Sequence, residues 1–194
     1  MIATNVKVFE KIPFSEYKNL PGHSFSSIRS ENENIKVTEK MAFGQRADAY
    51  LFTPYEYDGV DISLIRPVVI ELKKLLGEAI IYGKPQLSVT CDFIHNGFIL
   101  QYKGRADLKI HDLILDLKVS ELDTMNAIKH FRYDWQIGGY MKAFGCKRGM
   151  ILSINPRTLK VTTIPINPSF DWWEYNIIKY GKPLTNNGYA ATIK

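Results

Sequence analysis

Residues 104–118 read GRADLKIHDLILDLK, and this stretch decides how the fold is interpreted. Apolar and polar residues alternate around a turn at His111-Asp112, so we expect two adjacent strands. Asp107 lies at the end of the first strand and Asp116 in the middle of the second. The eight residues between the two aspartates fit a tight connection, which would bring both carboxylates together. Strand alternation then places Lys118 on the same face as Asp116.

The pattern of periodicity on either side of this stretch predicts the remaining elements. Upstream of this stretch, apolar residues first recur with helical spacing and then alternate with a period of two. The alternation predicts a β-hairpin closed at Asn96-Gly97, a pair suited to positive φ. We expect helices over 42–53, 67–82, 124–145 and 170–180, and strands over 87–93, 98–102, 113–119, 150–154 and 161–166, with a polar tail at the end. This order predicts an α/β or α+β fold with one mixed central sheet flanked by helices.

The length of 194 residues suits one domain with a sizeable core. We interpret residues 1–40 as a loop-rich N-terminal arm with a short helix near 15–20, because Pro13, Pro21 and Gly22 interrupt a polar segment. Residues 41–194 are then a single domain.

Composition narrows the classes of function. The net charge of +5 is compatible with a polyanionic partner such as DNA. No apolar stretch is long enough for a membrane span, and the N-terminus carries no apolar signal region, so we expect a cytoplasmic protein without a membrane partner. Two cysteines, Cys91 and Cys146, are too few for a disulfide framework or a cysteine-bound cluster.

The convergence of Asp107 and Asp116 predicts a cation site. Two partly buried carboxylates repel each other unless a cation joins them, and Mg²⁺ or Mn²⁺ with oxygen ligands is the natural partner. The main-chain carbonyl of Leu117 is a further candidate ligand. Lys118 can orient a water molecule or stabilise charge on a phosphate. The alternative is a pair of unrelated surface carboxylates, but Asp116 interrupts an apolar strand, where an unpaired charge is unfavourable.

Other polar residues near this motif are candidates for contact with the substrate. Tyr133, Gln136 and Tyr140 share one face of the predicted helix. Gln136 can support a bound water or a phosphate, whereas the tyrosines either brace DNA or belong to the core. Arg105 either contacts a phosphate or is a solvated charge, and Ser120 can donate to a phosphate oxygen.

Three motifs together resemble the PD-(D/E)XK nuclease superfamily, in its branch with a glutamine-bearing helix: the residues GRAD at 104–107, ILDLK at 114–118 and QIGGY at 136–140. Residues 41–54, MAFGQRADAYLFTP, resemble the FGxALHxLLLxP segment of exodeoxyribonuclease VIII-type and lambda-exonuclease-like recombination exonucleases. Residues 131–136, FRYDWQ, are similar to the Y-x-x-Q stretch of the same family.

The resemblance implies a restriction-endonuclease-like core, a two-metal site and 5′-to-3′ digestion of duplex DNA. It makes Asp107 and Asp116 metal ligands, Lys118 the catalytic lysine and Gln136 the helix glutamine. Two positions depart from the family. Asp48 replaces a histidine of the first helix and can still bind a hard cation, whereas Gln86 stands where the family often has a glutamate and supplies no charge.

We therefore expect a Mg²⁺- or Mn²⁺-dependent DNA exonuclease of recombination or repair, of phage type. The family also implies a single-strand annealing protein as partner and a homo-oligomer. Two alternatives stay open: an endonuclease on the same core, and a DNA-binding or inhibitory protein with weakened activity, which the departures at Asp48 and Gln86 would favour.

Overall fold

The computed structural model describes residues 1–33, 38–54 and 61–184. Seven strands and eight helices are defined in these residues. In chain order they are β1 (Ile2–Phe9), α1 (Phe14–Asn19), α2 (Phe25–Glu33), α3 (Glu39–Phe52), α4 (Arg66–Leu76), α5 (Ala79–Tyr82), β2 (Lys84–His95), β3 (Phe98–Ile110), β4 (Leu113–Val119), α6 (Thr124–Phe131), α7 (Tyr133–Phe144), β5 (Arg148–Ile154), β6 (Val161–Ile166), α8 (Asp171–Tyr180) and β7 (Lys182–Pro183). The predicted polar tail, from residue 185 onwards, lies outside the described residues.

The strands form one mixed sheet in the order β1-β2-β3-β4-β5-β6, and β7 pairs with β3. All neighbouring strands are antiparallel except β4 and β5, which run parallel because α6 and α7 connect them. The predicted mixed α+β fold with a central sheet and surrounding helices is confirmed.

Helices cover both faces of the sheet. One apolar core contains residues of α2, α7 and α8, among them Ile28, Ile137 and Trp173. The other contains residues of α3 and α4, among them Leu51 and Leu72. Strand β4 contributes Ile114 to the first core and Leu115 and Leu117 to the second, as strand alternation requires.

Strands β3 and β4 separate at one end. Their ladder contains only the pairs Ile110↔Leu113, Lys109↔Ile114 and Leu108↔Leu115, although both strands continue. Asp107 and Asp116 occupy the next position of this register. The two aspartates of the motif therefore lie where the sheet opens between its central strands.

Some predicted boundaries are wrong for local reasons. The helix expected over 124–145 is two helices, because Arg132 adopts a left-handed conformation with φ of 54° between α6 and α7. The guanidinium of Arg132 pairs with Asp134 at 3.0 Å and lies 3.4 Å from the centroid of the Trp135 ring, contacts that stabilise this break. The helix expected over 67–82 likewise breaks at Gly77, with φ of 45°.

In the described part of residues 1–40, the short helix expected near 15–20 is confirmed as α1, but the prediction of a loop-rich arm around it is wrong. Strand β1 pairs with β2 along the edge of the sheet, and α2 places Phe25 and Ile28 in the core. The polar sequence concealed these elements because most of β1 is exposed and only one side of α2 is buried. In the described residues, no helix has both the length and the apolar content needed to cross a membrane.

Candidate functional site

Asp107 and Asp116 lie together where β3 and β4 separate. The Oδ2 atom of Asp107 accepts a hydrogen bond of 2.7 Å from the backbone N–H of Leu117, which links the two strands after their ladder has ended. Burial raises the pKa of Asp107 well above its ordinary value, and the charges of Asp48 and Asp116 raise it further. Lys118 and the hydrogen bond from Leu117 act in the opposite direction.

Asp48 reaches the same place from α3, which packs on the face of the sheet opposite to α7. Burial and the charge of Asp116 raise the pKa of Asp48 to about 7, although Lys118 opposes this shift. Its Oδ2 atom accepts a hydrogen bond of 3.1 Å from Gln86, whereas its buried Oδ1 atom has no hydrogen-bond partner among the described residues. An unpartnered carboxylate oxygen beside two other carboxylates is an acceptor that a cation would satisfy.

Lys118 is the cation of this cluster. Its side chain forms an ion pair with Asp116, which is only 1% exposed, and its Nζ lies 4.7 Å from the centroid of the Tyr133 ring. Burial lowers the pKa of Lys118, but the charges of Asp116 and Asp107 outweigh this effect and raise the pKa above its ordinary value. Lys118 therefore stays protonated at neutral pH.

Asp48, Asp107 and Lys118 face a cavity with a volume of about 570 Å³, whereas Asp116, which is only 1% exposed, is not among its lining residues. Asp48, Asp107, Leu117 and Lys118 line one part of it, and α7 contributes Tyr133 and Gln136. The remaining lining comes from α2, α3 and the end of β4: Phe25, Ser26, Ser27, Arg29, Ser30, Met41, Gly44, Gln45 and Val119. The cavity is thus a cleft between the sheet and α2, α3 and α7, with one carboxylate from β3 and one from α3.

The helix residues have unequal access to this cleft. The Nε2 atom of Gln136 donates a hydrogen bond of 2.9 Å to the hydroxyl of Tyr140. Tyr140 is buried in the core, which was one of the two positions expected for the tyrosines. Its hydroxyl therefore faces Gln136 and not the solvent. Tyr133 lies at the cleft, where its ring contacts Lys118.

Leu117 is placed as the sequence predicts. Its side chain packs in the core of α3 and α4, while its N–H points across the gap to Asp107. The N–H and C=O groups of one strand residue point to the same side, so the carbonyl of Leu117 also faces the gap.

Two further candidate residues, Ser120 and Arg105, do not line the cleft. Ser120 accepts a hydrogen bond of 3.1 Å from the N–H of Leu122 and lines a separate depression of about 120 Å³. Arg105 is only 8% exposed, and its Nε donates a hydrogen bond of 2.7 Å to Gln86. Neither the solvated charge nor the phosphate contact expected for Arg105 fits this position.

Sequence reasoning missed the contributions of α2 and of Gln86. Residues 26–30 give no signal of a site, because the segment SSIRS is polar and carries no recognisable motif. Gln86 was interpreted only as a lost charge, whereas it bonds to both Asp48 and Arg105. Gln86 also has a φ of 48°, which is uncommon for a non-glycine residue inside a strand.

Comparison with known proteins gives little further information. No family model matches the chain, and no curated protein matches it. Among solved structures, the crystal structure of SSO0001 is similar with a TM-score of 0.44 and 17% sequence identity, over 78% of this chain and 79% of that chain. A likeness at this level assigns neither a family nor a function.

Proposed function

We propose that this protein is a metal-dependent deoxyribonuclease of the PD-(D/E)XK type that hydrolyses phosphodiester bonds of DNA. One observation carries the proposal: Asp48 of α3 and Asp107 of β3 line one cleft with Lys118, and the buried Asp116 of β4 forms an ion pair with that lysine. A cluster of buried carboxylates is unfavourable for folding alone, so its presence at an open cleft favours a functional site.

The donor set suits Mg²⁺ or Mn²⁺. Asp48, Asp107, Asp116 and the carbonyl of Leu117 would hold the ion, because all of them offer the oxygen ligands that hard divalent cations prefer. The unpartnered Oδ1 of Asp48 is the most direct support for this assignment. When bound, the metal polarises a phosphate and lowers the pKa of a coordinated water.

The protein residues around this site have distinct roles in the proposal. Lys118 stays charged, so it acts as a fixed cation that stabilises negative charge on the phosphate and does not act as a base. Gln136 lines the cleft, and its hydrogen bond to Tyr140 fixes its amide for contact with a water or a phosphate oxygen. Tyr133 bounds the cleft beside Lys118 and is the aromatic residue best placed to contact DNA.

We further propose that the enzyme digests DNA from an end and acts in recombination or repair. This part of the proposal is supported by the resemblance of residues 41–54 and 131–136 to recombination exonucleases, and the net charge of +5 suits a DNA substrate. The same resemblance supports a cytoplasmic enzyme of a bacterial or phage-infected cell, with an annealing protein as partner and self-association.

Cleavage of two substrates tests this proposal. End-labelled linear duplex DNA and a covalently closed circle are incubated with the protein and Mg²⁺, Mn²⁺ or EDTA. We expect loss of the linear DNA alone, and only with metal. Cutting of the circle would change the assignment to an endonuclease, and the absence of any metal-dependent cleavage would leave a DNA-binding role as the better explanation.

A further inference from the structure

Two hydrogen bonds connect Arg105 to Asp48 through Gln86. The Nε atom of Arg105 donates to Oε1 of Gln86 at 2.7 Å, and Nε2 of Gln86 donates to Oδ2 of Asp48 at 3.1 Å. The amide of Gln86 therefore has its oxygen toward a cation and its NH₂ toward an anion. This arrangement occupies one oxygen of Asp48 and leaves Oδ1 without a partner.

The backbone at Gln86 is strained. Its φ of 48° is left-handed, although the residue lies inside β2. The neighbouring pairs Pro85↔Leu108 and Leu87↔Ala106 are in register, and the pair that Gln86 would make with Asp107 is missing between them. Such strain persists only where the surrounding structure holds it, and it is concentrated at functional sites.

Arg105 is a buried charge without an ion pair among the described residues. Its guanidinium lies 5.6 Å and 6.0 Å from the ring centroids of Phe14 and Tyr17, which cover it from α1. Its Nη1 atom is buried without a hydrogen-bond partner in the described part of the chain. A buried cation is unfavourable unless other groups of the protein compensate its charge. The hydrogen bonds through Gln86 connect the Arg105 guanidinium to the Asp48 carboxylate.

We propose that Gln86 and Arg105 are positioning residues that fix Asp48 as a metal ligand. Gln86 holds the carboxylate in one orientation, and the charge of Arg105 polarises the amide of Gln86 and partly offsets the excess of carboxylates. The neutral Gln86 is thereby a working part of the site, although it lacks the charge of a glutamate. This inference rests on the metal site proposed above.

Direct titration with Mn²⁺ tests the role of this pair. Binding to the full chain is followed by the loss of the electron paramagnetic resonance signal of free Mn²⁺, which needs no DNA and no cleavage. The variants are Gln86→Met, which keeps the length of the side chain, and Arg105→Met, which keeps only its apolar stem, and both remove the hydrogen bonds to neighbouring residues. Circular dichroism confirms that each variant is folded.

Lys103→Met is the matched control. Lys103 lies two residues before Arg105 on β3, its Nζ is 5.8 Å from the Tyr17 ring centroid, and it donates to Lys18 O and Leu20 O of the α1 region. The control removes one positive charge and these contacts with the α1 region, but Lys103 has no hydrogen bond to Gln86 or Asp48.

We expect both variants to weaken Mn²⁺ binding by about tenfold or more, the size of effect known for residues that orient metal ligands, and the control to bind as the unmodified protein does. Normal binding by a folded Gln86→Met overturns the inference, whatever Arg105→Met does. If Arg105→Met does not fold, Gln86→Met alone decides. If the unmodified protein binds no Mn²⁺, the metal site itself is wrong and the inference fails with it.

Discussion

The carboxylate of Asp107 accepts a 2.7 Å hydrogen bond from the backbone N–H of Leu117, at the point where the β3–β4 ladder has ended. The Asp107 side chain thus has two functions: it replaces a missing ladder hydrogen bond, and it is one of the carboxylates of the cluster. The two functions can be separated by substitution.

Asp107→Asn keeps an oxygen that can accept from Leu117, whereas Asp107→Ala leaves that N–H unpaired. We expect the Ala variant to be less stable than the Asn variant by about 1–3 kcal/mol, which is the penalty for a buried donor without a partner. Urea unfolding in EDTA measures this difference. Both variants should lose metal-dependent cleavage, and equal stabilities would show that the hydrogen bond does not hold the strands together.

Without metal, the stability of the protein should fall as the pH rises. Burial raises the pKa of Asp48 to about 7 from its ordinary 3.8, so the folded protein holds this proton more tightly than the unfolded chain does. The resulting stabilisation is complete below pH 4 and is lost as the pH rises through 7. Melting temperatures in EDTA between pH 5 and 8 test this, and Mg²⁺ or Mn²⁺ should restore stability at pH 8.

Asp48→Asn removes the same charge at every pH. Its oxygen can still accept from Gln86, so we expect this variant to fold, to melt at a higher temperature than the unmodified protein in EDTA at pH 8, and to gain less from Mn²⁺. A variant that melts at a lower temperature in EDTA would indicate that Asp48 stabilises the fold as an anion.

The glycine of the GRAD motif is required for packing. A Cβ atom at Gly104 would lie 2.4 Å from the Tyr102 hydroxyl oxygen and 3.0 Å from Tyr140 Cδ1. Gly104→Ala should therefore destabilise the protein by about 1–3 kcal/mol. Gly44→Ala is the control, because its nearest contact is an ordinary 3.6 Å from Val119 and alanine favours the helix. Denaturant unfolding compares the two, and equal stability of both variants would contradict the packing.

Ser120→Ala should leave cleavage unchanged. Ser120 lines a separate depression and bonds to the N–H of Leu122, so it has no contact with the cleft. The measurement is the initial rate on linear duplex DNA. A large loss of rate with normal folding would mean that the substrate extends past β4 into this depression.

Local sequence predicted the middle of the fold well. Strand β4 runs from Leu113 to Val119 as expected, because its alternation and its flanking turn are both visible in the sequence. The placement of Lys118 beside Asp116 follows from the same alternation. The break at Arg132 was missed because neither glycine nor proline marks it, and its stabilising contacts with Asp134 and Trp135 depend on the folded geometry.

The remaining part of the site depends on tertiary structure. Asp48 meets Asp107 only because α3 packs against β4, which no periodicity predicts. The burial of Arg105 and Gln86 likewise depends on contacts that are distant in sequence. A charged residue such as Arg105 in an alternating strand is expected to face solvent. Burial under Phe14 and Tyr17 of α1 reverses that expectation, and the sequence predicts a short helix there but not that it packs over Arg105.

The most direct test of the proposed site compares Mg²⁺-dependent cleavage of linear duplex DNA by the unmodified protein, Lys118→Ala and Lys147→Ala. Lys147 is exposed and remote from the cleft, so its variant controls for the loss of one positive charge. We predict a loss of at least about a hundredfold for Lys118→Ala, with normal folding, and an unchanged rate for Lys147→Ala. Full Mg²⁺-dependent cleavage by a folded Lys118→Ala variant would contradict the assignment of this cleft as the active site.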